Sequence, residues 1–307
     1  MSPAPSIGEP GAAAGAERAV DAAVAALSLA ALASGISQRA MDPLLPRLAD
    51  DFGQSIGAVA GVITAFTVGY AAAQPVFGPV GDRLGKYRVI SWSSAACTVA
   101  ALLCALAPDL ASLIGARVLA GAAAASVLPL AIAWIGDVVP YERRQPVLAR
   151  FMLGQIGGVA AGQLVGGISA DFLGRLAPFV IAALLFAACT ALLLRMRRRL
   201  PAAALTTGTA AGRLGLAQIL REFGAVLRRP WARRVLLTTC VEGALVFGAL
   251  AFFATHLHLT LGVSLATAGL VVMPFALGGL LFSLAARPLL ARLGEAGLAR
   301  AGGASMM

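Results

Sequence analysis

Gly78-Pro-Val-Gly-Asp-Arg-Leu-Gly-Lys-Tyr-Arg88 is the stretch on which the fold of this chain turns. It gathers Asp82, Arg83, Lys86 and Arg88 into one short loop between two long apolar runs, Ile56–Pro79 and Val89–Ala107. Each run is close to the roughly 20 residues that a helix needs to cross a bilayer core. The loop itself reads as a tight hinge. Gly78 lets two helices approach, Gly85 supplies a positive φ in a short turn, and Asp82, four residues before Lys86, can pair with it.

Composition extends that reading to the whole chain. Of 307 residues 59% are hydrophobic and 12% charged, and mean hydropathy is +0.86. A soluble domain carries about 25% charged residues, so too few charges remain here to cover a water-soluble surface. The net charge of +10 would raise nucleic-acid binding in a soluble protein, but the basic residues sit in short clusters between apolar runs, and that reading is set aside. Lys86 is the sole lysine among the 24 basic residues, a bias toward arginine that belongs with the richness in Ala and Gly.

Eight apolar stretches have spanning length: Ala22–Met41, Ile56–Pro79, Val89–Ala107, Ser112–Ile135, Val147–Ile168, Leu176–Leu194, Val235–Ala254 and Ser264–Leu284. They are apolar all round, whereas strands of a membrane barrel would alternate. Loops after the odd-numbered stretches have no basic excess. Those after the even ones hold Arg83, Lys86 and Arg88, then Arg143 and Arg144, then ten arginines from Arg195 to Arg234, then Arg287, Arg292 and Arg300. Basic loops stay on the cytoplasmic side, which puts the N-terminus in the cytoplasm of a multi-pass plasma (inner) membrane protein.

The remaining segments follow. Residues 1–19 lack a basic start followed by an apolar core, so they read as a disordered cytoplasmic tail and not as a secretory signal. Residues 20–195 form a six-helix half. In the linker, 196–233, Leu216, Ile219, Leu220, Phe223 and Leu227 recur at helical spacing among Arg213, Arg221 and Arg228, which fits an amphipathic helix on the inner leaflet. Residues 234–307 begin a second half. Cys97, Cys104, Cys189 and Cys240 fall inside apolar stretches without metal-ligand spacing and read as small hydrophobes.

The chain also repeats itself. At an offset of 209 residues Gly53 meets Gly262, Ser55 meets Ser264, Val62 meets Val271, Phe66 meets Phe275, Gly69 meets Gly278 and Pro79 meets Pro288. Arg83-Leu84-Gly85 meets Arg292-Leu293-Gly294, with Ala291 opposite Asp82. Parallel repeats about an axis along the membrane normal are a transporter architecture. A full second half would run to about residue 404 on this offset, so the expectation is a C-terminally truncated chain that does not transport by itself.

The opening stretch closely resembles the G-x-x-x-D-R-x-G-R-K signature of the major facilitator superfamily. The resemblance implies an all-α polytopic bundle, here eight transmembrane helices: a complete six-helix N-terminal half plus the first two of the C-terminal half. It also implies that Gly78, Asp82, Arg83, Gly85, Lys86 and Arg88, with Asp137 as the third charged member, form a latch of the outward-facing state. The alternative is a set of solvated loop charges. Arg117-Val-Leu-Ala-Gly121 resembles the family's R-x-x-x-G motif, whose arginine is implicated in proton coupling; an arginine near a span end could instead snorkel to the interface. Asp42-Pro-Leu-Leu-Pro46 and Ile135-Gly-Asp-Val-Val-Pro-Tyr-Glu-Arg-Arg144 resemble loops of efflux members. Gly158-x-x-x-Gly162-Gln163-x-x-Gly166-Gly167 resembles the antiporter motif, with Gln163 in place of its proline. These glycines, with Gly121, also suit close helix packing.

Intramembrane polar groups are functional candidates by default. Arg39 and Asp42, three apart, either pair on one helix face in the pathway or form a water-exposed interfacial pair. Glu242 either carries a coupling proton or reaches water or Arg234. Gln155 bonds either solute or a neighbouring helix. His256 and His258, two apart, suit no helix-face metal pair and read as exposed loop histidines. There is no Walker loop, nucleophile–base spacing, metal cluster or cofactor motif. The expectation is a non-enzyme: a monomeric secondary transporter in the lipid bilayer, exporting a small organic solute by alternating access with protons as coupling ion. An uptake symporter of the same fold and a non-transporting fragment are the alternatives.

Overall fold

The computed structural model describes residues 10–206 and 216–305, and these are almost entirely helical. Helix α1 (Pro10–Arg39) leads through a tight turn into α2 (Leu45–Phe52). Then come α3 (Ile56–Val59) and α4 (Gly61–Leu84), which form one span, α5 (Lys86–Ala105), and α6 (Leu110–Ala124) with α7 (Val127–Val138), which form another. Helix α8 (Tyr141–Ile168) ends in a π-helical turn, Ser169–Leu173, before α9 (Ala177–Arg197). The linker holds α10 (Ala202–Leu205) and α11 (Leu216–Leu227); α12 (Pro230–Leu261), α13 (Leu265–Val272) and α14 (Pro274–Ser305) follow.

Seven helices among the described residues are long and apolar enough to cross a membrane, from Gly15–Arg39 to Pro230–Leu261. The eighth apolar stretch is interrupted at Met273, just before Pro274, much as two other spans are interrupted at Ala60 and at Ala125–Ser126, and its described apolar part runs over Leu265–Gly279. Span seven is longer than its hydropathy implies, because α12 takes in Arg233 and Arg234 at one end and both histidines at the other.

Residues 10–19, read as tail, are the first turns of α1; residues 1–9 lie outside the described residues. An exposed ion-pair set joins their last turn to α8. Arg143, in the first turn of α8, bonds Glu17 and reaches Asp21 at 3.4 Å. Arg213 also lies outside the described residues. Three cysteines pack as small hydrophobes, but Cys240 is exposed on α12.

Small residues set the packing, as expected where apolar burial alone cannot distinguish protein from lipid. Helix α1 lies along α8, α4 along α6, and α5 along α9. A Cβ on Gly121 would fall 2.0 Å from the Phe66 carbonyl oxygen, and one on Gly69 would fall 2.1 Å from that of Val118. Gly158, Gly162 and Gly166 press in the same way on α1 over successive turns, facing Leu32, Ile36 and Ala40.

The repeat is written into the backbone as well. Gly53 and its counterpart Gly262 both end a helix in the left-handed region, at φ 61° and 66°. Ser55 and Ser264 both cap the following helix through the side-chain oxygen. Gly85 and Gly294 both take positive φ, 91° and 65°. Glycine adopts such angles at no steric cost and most other residues avoid them, so a matched pair of such glycines marks a common architecture more firmly than matched apolar residues.

Candidate functional site

Two clusters of polar side chains stand at opposite ends of the bundle. At the Lys86 end, Gly85 stops α4 and starts α5 within one residue. The turn throws Lys86 back over the last turn of α4, where its Nζ lies 3.4 Å from Asp82 Oδ1 and 2.5 Å from Asp137 Oδ2 at the end of α7. Lys86 is largely buried between carboxylates that remain partly exposed. A buried ammonium needs such partners, because desolvating it alone is costly.

The other residues of this stretch divide. Arg83 is exposed, and Arg88 lies over the Trp92 ring at 4.6 Å, so neither joins the carboxylates. Gly78 does not serve close approach, since nothing lies within 4 Å of a Cβ built there. Gly81 does: its Cβ would fall 2.7 Å from Leu130 of α7. The proline-spaced glycine one turn earlier faces open space, and sequence spacing cannot tell the two apart.

The linker also docks here, which the sequence does not announce. Trp134 Nε1, one turn before Asp137, donates to the Ala204 carbonyl at 2.8 Å. Leu205 O sits 2.6 Å from where a Cβ on Gly85 would be. Tyr87, with its hydroxyl on Leu193 O at 3.2 Å, packs its ring 5.1 Å from that of Trp134. Trp134→Phe keeps the ring contact and removes the donor. One such bond contributes about 1 kcal/mol, so trypsin should cleave after Arg199 about fivefold faster in detergent-solubilised protein. Equal cleavage rates, read by mass spectrometry, would mean that residues 201–205 are held by something else.

At the opposite end, Arg39 closes α1 and Asp42 lies in the turn that follows. Arg39 Nη1 is 3.3 Å from Asp42 Oδ2, and Gln163 Nε2 of α8 donates to the same oxygen at 2.9 Å. The pair is buried, with Asp42 0% and Arg39 7% exposed, so it is not a water-exposed interfacial pair. Burial pushes the Asp42 carboxyl up to about 6 against the opposing pull of Arg39, the Gln163 hydrogen bond and Arg117. Phe247 of α12 covers the Arg39 guanidinium at 4.8 Å, so the cluster is closed by a residue from beyond the linker.

Arg117 lies on the same side of the molecule but does not snorkel. Its Nε donates to Val62 O at 3.3 Å, Nη1 donates to Ser37 O at 3.1 Å, and the guanidinium lies 4.3 Å from the Phe66 centroid. It is 1% exposed, a cation held by backbone carbonyls and an aromatic face. Buried atoms of this region lack protein partners: Arg39 Nε, Asp42 Oδ1, Arg117 Nη2, Gln163 Oε1 and, further along α8, Gln155 Oε1. Unpaired polar atoms at this depth are costly, and functional sites are where such costs are tolerated.

Glu242 does not join the cluster. It is exposed on α12, lining an open hollow of about 570 Å³ with Leu237, Thr238, Val241, Leu245 and Val246, and forms no ion pair among the described residues. His256 is exposed within α12, not in a loop. His258 is half-buried and its Nδ1 lies 2.7 Å from Val263 O, closing the turn after that helix. Among the described residues no group of three or more His, Cys, Asp or Glu could hold a metal ion. The sequence reading missed Phe247, Trp134, Gly81 and Asp171, because aromatic, small and loop residues reveal their partners only in space.

Comparison with known proteins agrees with this architecture. Residues 27–307 match the family described as Major Facilitator Superfamily. A Bacillus subtilis protein, the uncharacterized MFS-type transporter YceJ, is 28% identical over 249 residues, covering 80% of this chain and 60% of the relative. The multidrug export protein EmrB of Haemophilus influenzae is 32% identical over 146 residues, 48% of this chain and 29% of EmrB. The chain thus spans 60% or less of these curated relatives. Among solved structures, a bacterial homolog of the human lysosomal transporter Spinster in an inward-facing, unoccupied conformation superposes with a TM-score of 0.67 at 19% identity, covering 92% of this chain and 64% of that one. A D-xylose–proton symporter superposes with a TM-score of 0.62 at 15% identity, covering 89% and 70%.

Proposed function

The chain belongs to the major facilitator superfamily, and from that premise we propose that it builds the greater part of a proton-coupled exporter of small organic solutes, working by alternating access. The observation that carries the proposal is the buried Arg39–Asp42–Gln163 cluster under Phe247, which joins α1, α8 and α12. A carboxyl raised by burial to about 6 where the two repeats meet can exchange a proton for a change in their packing. Relatives named as multidrug export proteins support efflux.

Residues 20–195 form the first half, 196–233 the cytoplasmic linker with α11 along the inner leaflet, and 234–307 the opening of the second half, with the stretch from Ser264 as its second span and the eighth overall. The Lys86 end faces the cytoplasm of a plasma membrane, as does the N-terminus, because the arginine-rich loops lie there. Asp82, Lys86 and Asp137 hold that end as the latch, Arg117 fixes the field around Asp42, and Glu242 and Gln155 face the solute path.

A chimera tests this reading: residues 1–300 of this chain replacing the aligned part of the Bacillus subtilis relative, in inverted vesicles with an acidic interior. A lipophilic dye should accumulate, accumulation should vanish when the proton gradient is collapsed, and Lys86→Gln should slow it without reducing membrane insertion. Dye leaving the vesicles with protons would assign uptake symport instead. Accumulation indifferent to the gradient would remove the proton from the mechanism.

A further inference from the structure

The two repeats touch most intimately at the Asp42 end, through residues that the cluster does not use. Asp171 lies on the π-helical turn that closes α8. Its Oδ2 accepts the Ala266 N–H at 2.7 Å and its Oδ1 the Leu265 N–H at 3.2 Å, across 94 and 95 residues of sequence. These are the first amides of α13, which have no partner within their own helix. Ser264 Oγ takes the next one, from Thr267, at 3.1 Å. One carboxylate and one hydroxyl therefore satisfy three of the free donors, and the charge sits on the positive end of the α13 dipole.

The backbones beside this contact leave no room for a side chain. A Cβ on Gly167 would fall 2.4 Å from Leu265 O, and one on Gly269 would fall 2.4 Å from Gln163 O. Gly167 therefore faces α13, while Gly158, Gly162 and Gly166 of the same motif face α1. Gln163, which holds Asp42, is braced by Gly269 of α13 through its own backbone. The contact on α13 and the buried carboxyl thus share one helix segment, residues 163–171.

We propose that Asp171 is a positioning residue whose carboxylate clamps the second repeat onto the first at the Asp42 end, closing that end of the bundle until the clamp is released. The α13 amides exchange a fixed carboxylate for water, and α13 swings from the glycine seat at Gly167. A charged acceptor on a helix end gives a strong bond while it is made and none once the helix moves a few ångströms, which suits a closure with two discrete positions. The statement that this end is the outer one rests on the orientation proposed above; the clamp itself does not.

The experiment is a distance measurement by double electron–electron resonance in lipid nanodiscs. Spin labels go on the thiols introduced by Leu176→Cys and Leu261→Cys in a Cys240→Ser background; both leucines are exposed and they flank the contact. The parent should give one short-distance population. Asp171→Asn, which keeps the shape and removes the charge, should raise the ratio of long to short distances about tenfold. Ser264→Ala, which removes the cap internal to the second repeat, should leave the distribution near that of the parent. A control pair within the first repeat, Leu106→Cys with Leu176→Cys, should not respond to Asp171→Asn. An unchanged distribution in Asp171→Asn overturns the proposal. So does a shift of the control pair, because Asp171 would then be holding the fold and not the closure. Reaction of the thiol introduced by Leu261→Cys with an impermeant reagent, in vesicles of either sidedness, reports the side separately: modification from the cytoplasmic face would remove the orientation and leave the clamp standing.

Discussion

Gly121→Leu is expected to be the most damaging single substitution in the first half. The Gly121 Cα faces the α4 backbone so closely that any side chain would enter the Phe66 carbonyl, 2.0 Å from the Cβ position. Side chains can turn aside from an intruding methyl group, but a backbone carbonyl inside a helix cannot, so α4 and α6 must separate along their length. Overpacking typically costs 1–3 kcal/mol, and here, against backbone, about 3 kcal/mol or more is expected. Separation would also strip Arg117 of the Val62 carbonyl and the Phe66 face. Gly115→Leu, two turns earlier on α6, is the control: nothing lies within 4 Å of its Cβ, and leucine favours helix over glycine by about 1 kcal/mol. Denaturant titration of the purified protein in detergent should show Gly121→Leu unfolded or strongly shifted and Gly115→Leu at or above the parent midpoint. Equal midpoints would mean that the α4–α6 seat is looser than its geometry.

Asp42→Asn is expected to abolish a protonation step completely. Burial raises the Asp42 carboxyl from 3.8 to about 6, so the folded protein binds this proton more tightly than the unfolded chain does. The sign follows by linkage. The contribution to stability is full below pH 3.8 and is lost as pH rises toward and through about 6, the window set by those two values. Infrared difference spectra should show one carboxylic acid band disappearing with a midpoint of about 6 in the parent, absent in Asp42→Asn. The asparagine variant should also lose the fall in stability across that window. A parent without such a band would show that Arg39, Gln163 and Arg117 outweigh desolvation and keep Asp42 ionised, and proton coupling would then need another residue. Gln163→Leu separates the contributions. Removing a hydrogen bond to the ionised form should move the midpoint upward, while a downward shift would contradict the geometry of the cluster.

Much of the fold was legible before any coordinate. The hinge stretch, the alternation of basic loops and the offset of 209 residues do not depend on contacts, since hydrophobic length, loop charge and self-similarity are properties of the string. The matched glycines made the repeat more than a coincidence: Gly53 with Gly262 and Gly85 with Gly294 share backbone angles that other residues avoid. Length was less legible. Residues 10–19 look like a tail because alanine and glycine carry no periodic pattern, yet Arg143 ties them into α1.

Sites were legible only as residue types. The sequence supplies Arg39 and Asp42 at a spacing that permits a pair, but whether water or protein surrounds them depends on Gln163 and Phe247, which come from helices far along the chain. For Lys86, spacing yields Asp82, four residues away across the Gly85 turn, whereas the shorter contact is to Asp137, 51 residues on. Asp171 is the extreme case: as a string it is a loop acid, and in space it holds the first amides of α13.

The sequence by itself therefore determined that the chain is built of helices long and apolar enough to cross a membrane, internally repeated and of the major facilitator type, because those properties rest on local composition and on period. Only the tertiary structure decided which charges are buried, which glycines meet backbone and not open space, and where one repeat grips the other. Burial and contact are relations between distant segments, and a polar side chain's chemistry is set by what desolvates and bonds it, which no single stretch of sequence contains.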